Sequence, residues 1–333
     1  MQIGLGSMGK RRIRNLLFHK IPKENIYGFD PLKKRRLEAQ NNFGIKIFNN
    51  FKKTLDRVKP DVFIISTPPD KHSDYFLYAA KHKKHFFVEH PTTDKGYKQL
   101  MGLLDGTFVG APSCSLRFHP AIKAMKKILD SDKIGRVLSF QYHMGQYLPD
   151  WHPWEDYRKV YFSKRPTGAC REMFAFELGW LSYVLNLKVE KIAGFTEKLS
   201  GLDMNADDLY ASIIRFQNNV IGNISIDILS RKPFRTLRVI GSNGVLEWEW
   251  QDSRIELFTA KDKKLQVIHL KKGHNEKHYI TTEDMYEEEI GRFLTAIEGR
   301  SKYPFLFKEN HRFLKALFAL EKSSRTGKTV TVI

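Results

Sequence analysis

Apolar and polar positions follow two different rhythms along this chain. Over residues 1–115, short apolar runs recur between stretches whose apolar residues fall at helical spacing, the pattern of parallel strands linked by crossover helices. It predicts strands at 1–5, 25–30, 45–49, 61–67, 85–90 and 107–111. Between the first two, Ile13, Leu16 and Leu17 supply the stripe of a helix lying on a sheet. The run from Asp61 to Thr67 is apolar and β-branched through its centre, as a strand covered on both faces must be.

A helix over about 119–134 ends this regime. Beyond it, Ile224, Ile226 and Ile228 alternate with Ser225 and Asp227, and residues 245–250 alternate apolar positions with Glu247 and Glu249, which is how half-exposed antiparallel strands read. Asn218-Asn219 and Gly241-Ser-Asn-Gly244 carry the turn chemistry that joins neighbouring strands. Ile290, Phe293, Leu294 and Ile297 mark an amphipathic helix, and Phe313, Leu314 and Leu317 mark another. A chain of 333 residues exceeds what one core usually holds. The expected architecture is α/β: a doubly wound parallel Rossmann sheet over residues 1–115, followed by an α+β domain over 116–333 with an open, mostly antiparallel sheet, its C-terminal helix packing back on the first domain.

Composition narrows the class. No apolar run reaches the roughly 18 residues of a membrane span, so no membrane partner is expected. The glycine motif begins at Gly4 and leaves no room for a signal peptide, which makes the cytoplasm the expected compartment. With only Cys114 and Cys170 there is no disulfide framework, and no metal ligand set is assigned. The net charge of +19 raises nucleic acid as a partner, but zinc-finger, RNP and basic-zipper patterns are missing, so no specific nucleic acid is expected. Residues 1–115 hold 21 lysines and arginines against 10 acids, a field that attracts an anionic dinucleotide.

Gly4-x-Gly6-x-x-Gly9 sits between an apolar strand and a helix, where a pyrophosphate loop requires it. Gly4 permits the tight turn, Gly6 admits the phosphates to the backbone, and Gly9 allows close helix–strand packing; Ser7 and Met8 complete the loop. Asp30 closes the second strand where a carboxylate reaches the ribose hydroxyls, or else only caps the next helix. The carboxylate favours NAD, whereas Lys33, Lys34, Arg35 and Arg36 just after it leave NADP open. Only Met1 to Ile3 precede Gly4, although such a strand runs about five or six residues, which points to a start that is mis-assigned or truncated.

Six stretches, from Ile3-Gly-Leu-Gly-Ser-Met-Gly9 through Ser66-Thr-Pro-Pro-Asp-Lys-His72, Val88-Glu-His-Pro91, Leu116-Arg-Phe-His-Pro120 and Val239-Ile-Gly-Ser-Asn-Gly244 to Ser324-Arg-Thr-Gly-Lys-Thr-Val330, together resemble the Gfo/Idh/MocA oxidoreductases. The resemblance implies a Rossmann domain, a second domain whose open sheet builds homodimers or homotetramers, and hydride transfer to or from a sugar, polyol or related compound. It also implies that Ser66, Thr67, Pro68, His72 and Glu89 lie beside the nicotinamide end of the cofactor. The family's catalytic lysine is here His90, and its later acid and histidine correspond to Glu172 and Phe176.

Oxidation of a carbinol needs a proton acceptor, and neutral imidazole is available near pH 7, so His90 is the expected acid/base and Glu172 the carboxylate that orients it or binds a sugar hydroxyl. The competing readings are a strand-end histidine with no proton role, and a Glu172 paired with Arg171 or Arg117. Between Gln146 and Lys159 the chain is dense in aromatics and charges. Trp151, Trp154, Tyr157, Arg158 and Lys159, with Arg117 and Arg171, are expected to contact substrate, an anionic nucleotide-sugar among the candidates, unless the aromatics merely anchor a long loop. Two further readings stay open: a member that uses the cofactor for elimination or glycoside cleavage, and a regulatory protein that binds NAD without turnover.

Overall fold

The computed structural model describes residues 1–271, 273–276 and 282–332. Two compact units emerge, the first from residues 1–118 and 274–311, the second from 119–273 and 312–333. The expected single division near residue 115 therefore misses a return: residues 274–311, and not only a final helix, belong with the first unit.

In the first unit, strands β1 (Gln2–Ile3), β2 (Tyr27–Phe29), β3 (Lys46–Phe48), β4 (Val62–Ile65), β5 (His85–Val88) and β6 (Gly110–Pro112) form one parallel sheet in the order β3-β2-β1-β4-β5-β6. That is the dinucleotide-binding order, with the reversal beside β1. The crossovers are α1 (Ser7–Phe18), α2 (Lys33–Phe43), α3 (Phe51–Val58), α4 (His72–Lys81) and α5 (Tyr97–Leu103). β1 is short by its ladder, yet its bonding runs further: Ile64 N–H donates to Met1 O and Gly4 N–H to Phe29 O. Local chemistry sets the helix ends. Asn50 accepts the Lys53 amide to start α3, and Gly44 ends α2 at φ +66°.

The second unit opens on α6 (Pro120–Asp130), whose first residue is proline and whose start is capped by His119. Its sheet comprises β7 (Val137–Gly145), β8 (Val189–Glu197), β9 (Leu209–Phe216), β10 (Ile221–Asp227), β11 (Phe234–Gly241), β12 (Gly244–Glu249), β13 (Arg254–Thr259), β14 (Leu265–His269) and β15 (Val330–Thr331), in the order β14-β13-β12-β11-β7-β10-β9-β8-β15. Only β7 and β10 pair in parallel. α7 (Ala169–Leu185) packs on one face. α8 (Asp284–Ile297) belongs to the first unit, and α9 (Phe307–Thr326) gives its first residues to the first unit and the rest to the second.

The covered face of the second sheet is tied by a buried polar knot. Tyr142 Oη and Trp180 Nε1 each donate to Glu177 Oε2 at 2.5 Å, and Arg235 donates to Glu177 Oε1 at 2.7 Å. The Trp180 ring meets Tyr142 and Trp248 edge-on at 5.4 and 5.8 Å. Trp180→Ala opens a large cavity and strands the carboxylate of one donor; urea unfolding followed by circular dichroism should show a loss of about 3–5 kcal/mol.

Candidate active site

The first unit builds a phosphate cradle from its glycines. Gly4 has φ +84°, and a Cβ there would lie 2.4 Å from Ser66 O; a Cβ on Gly9 would lie 1.9 Å from Gly4 O. Neither position tolerates a side chain. Gly6 differs, because a Cβ there meets only the Arg35 guanidinium at 3.5 Å, so its missing side chain leaves open space in front of α1. No side chain caps α1 and no acid lies in its first turn. The backbone over Gly6, Ser7, Met8 and Gly9 therefore fits an anion at a helix start.

Asp30 lies beside this loop, buried, with Oδ2 accepting the Leu5 amide and Oδ1 the Leu32 amide, both at 2.8 Å. The carboxylate thus fastens the loop and the turn that leads into α2, whose first turn it does not cap. An ionised carboxylate has further lone pairs for a ribose hydroxyl.

At the ends of β4 and β5 the residues expected near the nicotinamide share one network. His72 Nε2 bonds the Thr67 carbonyl at 2.8 Å, which pins the turn through Pro68, and Ser66 Oγ lies 3.3 Å from Glu89 Oε1. Glu89 itself is gripped by Arg12, Nε to Oε1 at 2.6 Å and Nη2 to Oε2 at 3.0 Å. Arg12 is 0% exposed and reaches Glu289 of α8 at 2.8 Å as well. Glu289 also accepts Ser113 Oγ and the Cys114 amide. Burial opposes the Arg12 charge, but the two carboxylates hold its pKa above the usual range; burial pushes the Glu289 carboxyl up despite Arg12. Arg12 and Glu289 went unnoticed in the sequence. The signal for Arg12 was its place beside Ile13 and one turn before Leu16, on the stripe that packs against the sheet.

His90 follows Glu89 and is buried, and that burial, with His72 nearby, lowers its pKa from 6.5 to about 3; burial lowers His72 to about 4. Both rings are neutral at physiological pH.

In the second unit, Glu172 stands in the first turn of α7, its amide bonded to Gly168 O. Four short 3-10 turns brace the loop before it. Trp151 packs edge-on against Phe162 at 5.2 Å, and Tyr157 Oη accepts the Asp203 amide at 3.1 Å, so these two anchor the loop. Arg158 makes a fork onto Asp156 at 2.8 and 3.0 Å. Trp154 and Lys159 stand exposed. The sequence also missed Arg231, whose guanidinium lies 3.6 Å over the Tyr147 ring.

Two of the residues expected to contact substrate have carboxylate partners within their own units. Arg117, in the first unit, is buried, paired with Glu309 and stacked 4.4 Å over Phe305. Arg171, in the second, bonds Glu321 at 2.6 Å and Pro166 O at 2.7 Å. Each is tied within its own unit, because a guanidinium withdrawn from water is stable only where its charge is matched. A cluster no motif marked joins His274 to Asp284 at 3.5 Å and Glu287 at 3.4 Å; each ring nitrogen faces a different carboxylate, as in an ion pair at the start of α8.

Strand order, glycine cradle and a second mixed sheet define a two-domain dinucleotide-binding oxidoreductase. Residues 2–105 match the oxidoreductase family with an NAD-binding Rossmann fold, and residues 122–247 match the GFO/IDH/MocA C-terminal domain. The chain belongs to the Gfo/Idh/MocA family, and its first unit is that family's NAD-binding domain. A levoglucosan dehydrogenase from Pseudarthrobacter phenanthrenivorans is 30% identical over 120 residues, which span 34% of this chain and 30% of that one. A levoglucosan dehydrogenase in complex with NADH has the same fold, at a TM-score of 0.84 and 18% identity over 99% of this chain and 98% of the other. An oxidoreductase domain protein from Kribbella flavida matches at a TM-score of 0.86 and 16% identity over 99% and 98%. Among the described residues no helix is long and apolar enough to cross a membrane.

The depressed His90 pKa carries a sign. Between pH 6.5 and about 3 the unfolded chain protonates this ring while the folded one does not, so its contribution to stability is full above pH 6.5 and is lost as pH falls. From pH 6.5 to pH 5 the native protein should lose about 2 kcal/mol that His90→Gln does not. Denaturant titrations at the two pH values measure the difference, and parallel losses would refute the lowered pKa.

Proposed function

We propose that this protein is an NAD(P)-dependent dehydrogenase or reductase acting on the CH–OH group of a sugar, polyol or nucleotide-sugar, with His90 as acid/base. The observation that carries the reading is a buried, neutral imidazole directly after a carboxylate fixed by Arg12, in the unit that holds the glycine cradle. The loop from Gly4 to Gly9 would hold the pyrophosphate and Asp30 the adenosine ribose, with Ser66, Thr67, Pro68, His72 and Glu89 at the nicotinamide end. NAD supplies the hydride acceptor when bound.

The chain's own residues do the rest. His90 takes the hydroxyl proton as the carbonyl forms, a neutral imidazole having one acceptor nitrogen for it. Glu89, with both oxygens accepting from Arg12, holds the end of β5 still. In the second unit Trp154 and Lys159, two exposed members of the aromatic loop, offer a stacking face and a cation to a sugar that carries negative charge. The levoglucosan dehydrogenase likeness supports a sugar as the substrate class. In a spectrophotometric panel of sugars, polyols and nucleotide-sugars, NADH should accumulate on at least one substrate, and His90→Ala should lower kcat by about 100-fold or more. Turnover without net NADH would favour elimination or glycoside cleavage; NAD binding without turnover would favour a regulatory role.

The same reading has the open face of the second sheet join two or four copies of this chain. Facing residues on that side are Ile221, Ser139, Ile240, Val245, Phe258 and Leu265, in register from β10 through β7, β11, β12 and β13 to β14. Ile221, Ile240, Phe258 and Leu265 are exposed, an apolar row that a solitary chain would leave in water. Light scattering should give a dimer or tetramer, and Ile240→Lys with Phe258→Glu should shift it toward monomer without loss of helix signal.

A further inference from the structure

β5 stops at Val88, and beyond it the Glu89 amide still donates to Ile65 O at 3.0 Å. The next residue is His90, and the side chain that fastens the strand just ahead of it comes from α1. Arg12 grips this strand twice: its guanidinium lies 4.5 Å over the Phe87 ring, and its Nε and Nη2 fork onto the two oxygens of Glu89 at 2.6 and 3.0 Å. A fork of that kind fixes direction as well as distance. Nη2 also reaches Ser113 Oγ at 3.4 Å, just past β6.

The guanidinium is itself backed by one face of α8. Tyr286, Glu289 and Phe293 fall at helical spacing there and share that face. The Arg12 guanidinium lies 5.4 Å over the Tyr286 ring, Glu289 is 2.8 Å from Nη2, and Phe293 packs on Phe87 at 5.7 Å. A cation kept wholly from water is a costly way to hold elements that apolar contacts could hold as well. An apolar side chain in its place would pack and aim nothing.

We propose that Arg12, anchored by Glu289, is a positioning residue for His90: through Glu89 it sets the direction in which the chain leaves β5, and so where the imidazole stands relative to the glycine loop from which α1 starts. The proposal rests on the reading of His90 as the acid/base and names what aims it. Arg12 itself exchanges no proton. Its effect is on how often the ring stands where a hydroxyl proton can reach it, and displacing a reacting group by an ångström costs on the order of 100-fold in rate.

Two variants of the intact protein separate aiming from charge balance. Arg12→Gln with Glu289→Gln removes one charge of each sign, and Arg12→Lys keeps the charge without the fork. In both, the thermal unfolding midpoint and the Kd of NADH from isothermal titration should stay close to native, while kcat on the substrate found in the panel falls about 10-fold or more and KM changes less than about 3-fold. Amide hydrogen exchange should quicken at Glu89 and Ser113, whose amides bond Ile65 O and Val88 O, and should not change at Gly4, bonded to Phe29 O. Native kcat in the double variant would overturn the proposal, as would unchanged exchange at Glu89 and Ser113. A fall in kcat matched by equal losses of unfolding temperature and NADH affinity would also overturn it, marking Arg12 as a strut of the fold. If the double variant does not fold, Arg12→Lys decides by the same measurements. If the native protein turns over no substrate, the acid/base reading fails, and the exchange rates alone decide whether Arg12 sets the strand end.

Discussion

One buried guanidinium holds the first unit in register. Arg12 comes from the helix that starts at the glycine loop, Glu89 from the end of β5 just before His90, and Glu289 from a helix that returns late in the chain. Through Glu289 the same cation reaches Ser113 and the Cys114 amide after β6. None of these charges is stable in a dry interior alone, and removing one partner of such a set costs about 3–5 kcal/mol because it leaves an uncompensated charge. The phosphate loop, the strand end that carries His90 and the returning segment are therefore fixed together or not at all. This also explains why residues 274–311 belong to the first unit, since without Glu289 the Arg12 side chain would lack its second counter-charge.

Much of this was legible in the sequence because it is local. The spacing of Gly4, Gly6 and Gly9 states its own geometry, and the contacts a Cβ would make at Gly4 and Gly9 show why two of the three cannot vary. The continuous apolar run in β4 announced a strand covered on both sides, and the alternation in β10 and β12 announced an open sheet. What stayed hidden depends on partners distant in the chain. Arg12 stands in a run of cations that reads as a solvated face, and Glu289 stands in a run of glutamates that reads the same way. Only folding shows that each is the other's reason. Arg117 and Arg171 hide partners in the same way: their types suit an anionic substrate, and the pairs they make with Glu309 and Glu321 are distant in the chain.

The excess of positive charge acquires a place through the same distinction between occupied and unoccupied groups. Arg11 and Arg12 are matched by Glu283, Glu89 and Glu289, so two of the cations closest to the glycine loop in sequence contribute structure and little outward field. Arg35 and Arg36 sit at the opposite edge, Arg35 4.0 Å from the Asp30 carboxylate and Arg36 on the Asp30 and Pro31 carbonyls. A net charge of +19 says little by itself; its effect on an incoming anion is set by which cations lack a carboxylate of their own.

Under the proposed function a histidine, rather than a lysine, suits position 90. A lysine in so dry a place must shed its charge before it can accept a proton, whereas an imidazole is already neutral there. His72 adds a second condition. Its Nε2 engages the Thr67 carbonyl, and the two histidines lie close enough for His72 to depress the pKa of His90, so a proton arriving on one disfavours a proton on the other. Under the proposed function, His90 would then be a transient carrier that passes its proton on, because neither burial nor its neighbour lets it rest as an imidazolium. The chemistry assigned to His90 rests on a strand end that Arg12 holds: both Glu89 oxygens accept from Arg12 just before the ring.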